Sequence, residues 1–419
     1  MFHIYRFLTI ILFPVFIIII YIRKFTDKED SERFKEKIFT KKKVNQDSFI
    51  WFHGASIGEV KSIIPLIYEL IKKDKTAKVI ITSVTVSSAN IIKEEFKSQS
   101  QIYHQFIPLD VPHLVNNFLD NWKPKFIGFI DSEIWPNYIH EIKKRKINLA
   151  LINARITNKS FRRWKFFNSL AKKTFSSFDI CLASSKLSAE YLEKLYAKNI
   201  KYYGNLKFID NKNEYEKLKE NKIVSIKGKK IWCVASTHKG EEKFCISTHQ
   251  KIKTVCQDLM TIIIPRHIER INEIYLDCKK LNIKTQILDE NEDILNNTEI
   301  LLVNSFGVLP AYYNLAKSVF IGKSLLEKFI FSGGQNPIEA ALQGCKIYHG
   351  PFISNFKEEY EYLNKLGISE EVNNINELSV KIVTDLDQKK ITDNDNIKKI
   401  NTYGKSILKN TIIELESYI

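Results

Sequence analysis

Short apolar runs alternate with helix-period segments along almost the whole chain, and this alternation limits the fold more than any other feature. The runs at residues 48–52, 78–82, 104–108, 126–130, 149–153 and 180–183 are apolar and strand-length. Between them, residues 60–70, 87–96, 114–121, 136–143 and 187–195 read as helices. Repeated strand–helix units predict an α/β fold, a parallel sheet with helices on both faces. Residues 210–222, DNKNEYEKLKENK, are polar and predict a linker or a solvated helix. The pattern then restarts, with strands expected at 231–235, 261–265, 284–288, 299–303, 318–321 and 346–349. Two similar halves predict an amino-terminal domain over residues 25–209 and a carboxyl-terminal domain over 223–419, facing a cleft. In such sheets ligands bind beyond the carboxyl ends of the strands. A length of 419 residues allows a sizeable core in each half.

Bulk composition narrows the partners. The chain is 44% hydrophobic and 27% charged, which is globular rather than disordered. Its net charge of +16 favours nucleic acid, anionic lipid or phosphorylated substrates. The six cysteines form no CxxC pair, which points to buried thiols in a reducing compartment. Neither GxGxxG nor GxxxxGK[ST] occurs, which weakens dinucleotide and Walker-type readings. Residues 7–22, FLTIILFPVFIIIIYI, carry no charge and lie between Arg6 and Arg23–Lys24. This is slightly short of the roughly 20 apolar residues a span needs. Pro14 predicts a kink, and no small-residue cleavage site follows. A membrane anchor over residues 1–24 is expected, either crossing the bilayer or lying in its interface. The basic residues after it predict a cytoplasmic body against an anionic inner leaflet.

Candidate site residues fall at expected strand ends. The loop HGASIGE (53–59) leads from a strand into a helix and presents Glu59 there. An acidic residue in a first turn often does no more than complement the helix dipole. Ser56, however, is able to cap the same helix, and a carboxylate facing a cleft is placed to accept a proton from a substrate hydroxyl. DSEIWPN (131–137) brings Asp131 and Glu133 to the same edge, for capping or for support. In the second half, Arg266 ends a strand, where it either grips a phosphate or pairs with Glu269 or Glu273. SGGQNPIEA (332–340) predicts a helix start with Asn336 at the cap and Pro337 next. Exposed amides there make a phosphate site, with Glu339 available for a ribose.

Taken in order, these segments resemble the 3-deoxy-D-manno-octulosonic acid (Kdo) transferases of lipopolysaccharide synthesis. HGASIGE (53–59), TSVT (82–85), DSEIWPN (131–137), NARI (153–156), GNLKF (204–208), ASTHKGEE (235–242), PRH (265–267) and GGQNPIEAA (333–341) follow the motifs of that family, as does the amino-terminal apolar segment. The resemblance implies a GT-B fold, two Rossmann-like parallel-sheet domains facing a cleft, with an N-terminal apolar membrane-anchor helix. It implies Glu59 as catalytic base. It implies CMP binding by Pro265, Arg266, Phe306, Gly307, Val308, Asn336, Pro337, Ile338 and Glu339. Ser56, Gly58, Glu133 and Lys207 are candidate acceptor-side or supporting residues. Two positions depart from the family: Val308 stands where a glutamate is usual, and Lys323 where a glycine is. The implied reaction is inverting transfer of Kdo from CMP-Kdo to the tetraacylated lipid A precursor, lipid IVA. No cofactor or metal is expected, no nucleic acid partner, and a site on the cytoplasmic side of the bacterial inner membrane. Residues 161–173, FRRWKFFNSLAKK, suit a lipid interface or a core helix with a solvated basic face. The rivals are another GT-B enzyme, such as a nucleotide-sugar 2-epimerase, and a non-enzymatic membrane-tethered binder of anionic lipid or nucleic acid.

Overall fold

The computed structural model describes residues 1–26, 28–39, 47–209, 226–290, 292–305, 307–388 and 395–419. The chain forms two compact units, one of Met1–Ile209 with Tyr403–Ile419 and one of Asp210–Thr402.

The first unit contains β1 (Phe49–His53), β2 (Lys78–Ser83), β3 (Ile102–Phe106), β4 (Pro124–Ile130), β5 (Asn148–Ala154), β6 (Ile180–Ala183) and β7 (Ile200–Tyr202). All pair in parallel in the order β3-β2-β1-β4-β5-β6-β7. The order reverses between β1 and β4, so the loops after these two strands diverge and leave a crevice at the carboxyl edge. Strands β1 and β4 are buried on both faces, as their unbroken apolar runs require. Trp51 packs on Phe118 at 4.7 Å and on Phe129 at 5.3 Å, and its indole nitrogen donates to Thr82 Oγ1 at 2.8 Å. Helices α1 (Phe2–Ile11), α2 (Phe13–Phe25), α3 (Ile57–Lys73), α4 (Val86–Glu95), α5 (Pro112–Trp122), α6 (Pro136–Lys144), α7 (Asn158–Phe166), α8 (Asn168–Phe175) and α9 (Lys186–Lys194) complete the unit.

Several expectations need correction here. The apolar amino terminus is not one anchor helix but a pair, α1 and α2, bent by 55° at Leu12. Pro14 sits in the first turn of α2, where its missing N–H costs nothing. Among the described residues no single helix is long and apolar enough to cross a membrane, and the bent pair passes that test only jointly. The basic aromatic segment 161–173 is likewise two helices, broken at Phe167. Helix α7 fully buries none of its residues, though Phe161 and Trp164 pack half-buried against the core, whereas α8 buries Leu170, Ala171, Thr174 and Phe175.

The second unit contains β8 (Lys230–Thr237), β9 (Leu259–Pro265), β10 (Thr285–Leu288), β11 (Ile300–Val303), β12 (Ser318–Ile321), β13 (Lys346–His349) and β14 (Ser369–Glu371). These are parallel too, in the order β10-β11-β9-β8-β12-β13-β14, with the reversal between β8 and β12. Its helices are α10 (Glu241–Lys253), α11 (Ile271–Lys280), α12 (Leu309–Leu315), α13 (Ile338–Leu342), α14 (Lys357–Lys365) and α15 (Ile375–Asp387).

The expected linker at 210–222 lies outside the described residues. The expected carboxyl-terminal boundary at 419 is too late, because the end of α16 (Asp395–Glu416) belongs to the first unit. Tyr403 stacks edge-on against Phe208 at 5.2 Å, and Asn199 Nδ2 donates to the Tyr418 hydroxyl at 2.7 Å. Gly404 allows the approach, since a Cβ there would lie 2.2 Å from the Phe208 carbonyl oxygen.

Candidate active site

At the reversal in the first sheet, the loops after β1 and β4 bring together three carboxylates. Glu59 is the third residue of α3, and its Oε2 accepts from the backbone N–H of Ala55 at 2.6 Å and of Ser56 at 3.3 Å. The Ser56 side chain adds a further hydrogen bond to this carboxylate. The simple capping role is therefore real, with Ala55 and Ser56 as its partners. Burial, followed by the charges of Asp131 and Glu133, raises the pKa of Glu59 above the ordinary carboxylate value.

The neighbours are fixed by residues far away in sequence. Asp131 is buried in a left-handed conformation (φ 53°) and receives Asn153 Nδ2 at 2.6 Å and Lys207 Nζ at 2.8 Å. Asn153 Oδ1 in turn accepts from the Leu206 N–H at 2.9 Å, which ties the GNLKF segment to the β5 edge. Lys207 runs past Gly58, where an added Cβ would touch its Cε at 3.9 Å. Glu133 Oε2 accepts from Trp135 Nε1 at 2.9 Å and lies 3.1 Å from Nε2 of the fully buried His53. His53 Nδ1 lies 2.9 Å from Thr82 Oγ1. Thus Glu59, Gly58, Glu133 and Lys207 come together, with Ser56 exposed at the helix cap. His53, Thr82 and Asn153 were not expected in these supporting roles, although they open the segments HGASIGE, TSVT and NARI.

The second unit has an electropositive edge. Pro265 closes β9, and the Arg266 N–H donates to the Thr237 carbonyl at 3.1 Å. The Arg266 side chain is exposed and pairs with neither Glu269 nor Glu273; Glu273 pairs instead with Arg270 and Lys239, at 3.3 and 3.4 Å. The neighbouring His238 ring lies 5.2 Å from that of His267. Burial and the positive charges of Lys323, His267, Arg266 and Lys328 push the His238 pKa down to about 4. A neutral histidine among these cations is a site short of negative charge.

That edge is organised by Glu241, which the sequence reading did not single out. Its fully buried carboxylate accepts four backbone N–H groups, from His238 (2.9 Å), Lys323 (2.6 Å), Ser324 (2.8 Å) and Leu325 (3.0 Å). It thereby joins the loop after β8 to the loop after β12, across the reversal. Lys323, at φ 58°, is held there, and its carbonyl accepts from Gly334 at 2.7 Å.

The glycine-rich loop differs from expectation. Helix α13 begins at Ile338 with Pro337 at its cap, one residue later than predicted, and spans five residues. Asn336 Oδ1 already accepts from the Ile338 N–H at 3.1 Å. Gly333 serves packing, since a Cβ there would lie 2.1 Å from the Phe352 carbonyl oxygen. Gly307 has φ 80° and Val308 precedes α12 as its cap residue, while Phe306 lies outside the described residues. Glu339 is half-buried, and its charge helps to raise the Tyr313 pKa. No group of three or more His, Cys, Asp or Glu side chains among the described residues is placed to hold a metal ion.

A family model for the 3-deoxy-D-manno-octulosonic-acid transferases (kdotransferases) matches residues 32–210. A 3-deoxy-D-manno-octulosonic acid transferase of Rickettsia bellii is 32% identical over 84% of this chain and 83% of its own length. The chain belongs to the Kdo transferase family. It is a glycosyltransferase. A Haemophilus influenzae transferase of the same description is 28% identical over 75% of this chain and 73% of that protein. The crystal structure of a UDP-GlcNAc 2-epimerase from Neisseria meningitidis aligns with a TM-score of 0.58 over 87% of this chain and 99% of that one, at 14% identity. That likeness is one of fold, and it agrees with two parallel-sheet α/β domains of the GT-B type.

Proposed function

We propose that this enzyme moves Kdo from CMP-Kdo to a hydroxyl of lipid IVA, the tetraacylated lipid A precursor, at the cytoplasmic side of the bacterial inner membrane. The observation that carries the reading is Glu59, a half-buried carboxylate at the β1–α3 turn with a pKa raised by burial and by the charges of Asp131 and Glu133. A base in such surroundings is poised closer to neutral pH than a solvated glutamate. Its carboxylate takes the acceptor proton as the acceptor oxygen bonds to the anomeric carbon. The bond from that carbon to the CMP phosphate oxygen breaks on the opposite face, the electron pair leaves with the phosphate, and configuration inverts. Arg266, Lys323 and Lys328 provide the positive field in which the departing phosphate gains charge. Pro265, Gly307, Val308, Asn336, Pro337, Ile338 and Glu339 line the donor side. The phosphates of the acceptor suit a chain of net charge +16, and its acyl chains suit the exposed apolar surface of α1 and α2.

The test is mass analysis of the lipid formed by purified enzyme from CMP-Kdo and lipid IVA. One or more added Kdo residues are expected, and an unmodified acceptor would sink the reading. Glu59→Gln keeps the shape of the cap and removes the base. Its turnover is expected to fall by about 10²–10⁴-fold while the melting shift caused by CMP persists. A shift with UMP but not CMP would favour an epimerase-like use of the same fold.

A further inference from the structure

We propose that α1 and α2 form a one-sided docking surface for an anionic lipid bilayer, seated on the first unit and entering a single leaflet, rather than a membrane span. The proposal deepens the membrane location proposed above and rests on that part of it alone.

Each helix shows one apolar stripe at helical spacing. In α1 the stripe is Ile4, Phe7 and Ile11, and in α2 it is Val15, Ile18 and Ile22, all between 48% and 62% exposed. At about 1.5 Å per residue the two helices are about 15 and 20 Å long, each short of the ~30 Å hydrocarbon core. The 55° bend at Leu12 prevents them from adding up to one straight rod.

The inner side of the pair is built into the protein by polar contacts a free span would not have. The Tyr5 hydroxyl donates to Asp110 Oδ2 at 2.8 Å. Arg6 Nη1 donates to Glu141 Oε1 at 2.6 Å, and Asn137 Nδ2 donates to Thr9 Oγ1 at 3.1 Å. Asp110, Asn137 and Glu141 are all buried. In α2, Ile20 is buried with Phe34 and Ile38, and Arg23 pairs with Glu29 at 2.6 Å. Threading the pair through a bilayer would strip Asp110 and Glu141 of these partners and carry Arg6 into hydrocarbon. Resting in one leaflet breaks none of these bonds.

The surroundings select an anionic surface. Helix α8 packs against α1, and Lys173 Nζ lies 4.1 Å from the Phe2 ring centre. The adjoining α7–α8 hairpin exposes Arg162, Arg163, Lys165 and Lys172, with Phe166 at 82% exposure in its turn. Exposed aromatics within a basic cluster suit a headgroup layer carrying negative charge.

The full-length chain, expressed in bacterial cells with an epitope before Met1, supplies the first test. Protease added to spheroplasts should leave the epitope intact, because both helices stay on the side of the body. Digestion of the epitope with the body protected means a span and overturns the proposal while leaving the membrane location standing. The second test is flotation of purified protein with vesicles of phosphatidylglycerol and phosphatidylethanolamine. Phe7→Glu with Ile18→Glu charges both stripes at exposed positions and should cut flotation at least tenfold, with the CMP melting shift unchanged. Equal flotation of variant and parent overturns the docking surface. A parent chain that floats with no vesicle removes the membrane location itself, and the proposal with it.

Discussion

Glu59 keeps its proton to a higher pH than a solvated glutamate, because burial and the charges of Asp131 and Glu133 all disfavour its ionised form. If it acts as base, the acid side of the pH profile of kcat/KM reports this pKa and lies above the normal glutamate range. Asp131→Asn is the sharpest probe, since asparagine tolerates the left-handed backbone that Asp131 adopts at φ 53°. The substitution deletes one of the charges that raise the Glu59 pKa and releases Lys207 from its 2.8 Å pair. Both changes favour ionised Glu59, so the acid limb should move to lower pH; an unmoved limb would mean that another group sets it. On the donor side, Arg266→Ala should weaken CMP binding by about 10–100-fold in calorimetry, the usual effect of losing a charge-assisted bond to phosphate. Glu59 itself was legible in the sequence, because a strand, two glycines and a helical stripe fix its position within eleven residues, 49–59. His53 and Asn153 were not, because their partners are 80 residues away at Glu133 and 53 away at Leu206. Nothing local in the sequence marks such pairs.

Most strands legible in the sequence are buried on both faces, where an unbroken apolar run leaves no other reading, although the half-buried edge strands β3 and β10 were legible too. Strands β7 and β14 were missed: each is three residues long, lies at a sheet edge and has a mixed burial pattern. Loops were harder still. The glycines of SGGQNPIEA suggested a bare phosphate cradle, yet Gly333 is there because a neighbouring carbonyl passes too close for any side chain. The element that holds the donor edge together is instead Glu241, whose four N–H donors come from two loops that are some 80 residues apart in sequence. Glu241→Gln places an amide group against two of those donors, so at least one buried N–H loses its acceptor. The expected cost is about 2–5 kcal/mol. It should appear as a clear drop in melting temperature together with weaker CMP binding, since the loop bearing Lys323 depends on this carboxylate. A variant that melts like the parent would show that the two loops are held by other means.

At the scale of the whole molecule, the apolar amino terminus reads in the sequence as a detachable anchor, carrying no titratable or nucleophilic group between residues 7 and 20. Its structure argues otherwise, because what matters is not in that stretch but beside it. Tyr5 and Arg6 serve Asp110 and Glu141, and Asp110 also accepts the N–H groups of Asn137 and Tyr138 at 3.1 and 3.0 Å, where α6 begins. The start of α6 directly follows the loop that carries Asp131 and Glu133. Burial already raises the Asp110 pKa to about 6, against the lowering effect of the Tyr5 hydrogen bond. A carboxyl group with a raised pKa binds its proton more tightly in the folded chain than in the unfolded one. Its share of stability is therefore lost as pH rises from about 4 through about 6, and stays lost above. Removing residues 1–24 deletes the Tyr5 donor to Asp110 and the Arg6 partner of Glu141. It also uncovers Phe34 and Ile38, which Ile20 now helps to bury. The truncated chain should therefore melt well below the full chain. It should also lose turnover on detergent-dispersed acceptor, where no membrane is needed, because the loop before α6 is no longer held from behind. Melting curves and turnover in detergent decide the matter. A truncated chain as stable and as active in detergent as the parent would make the segment an anchor and nothing more.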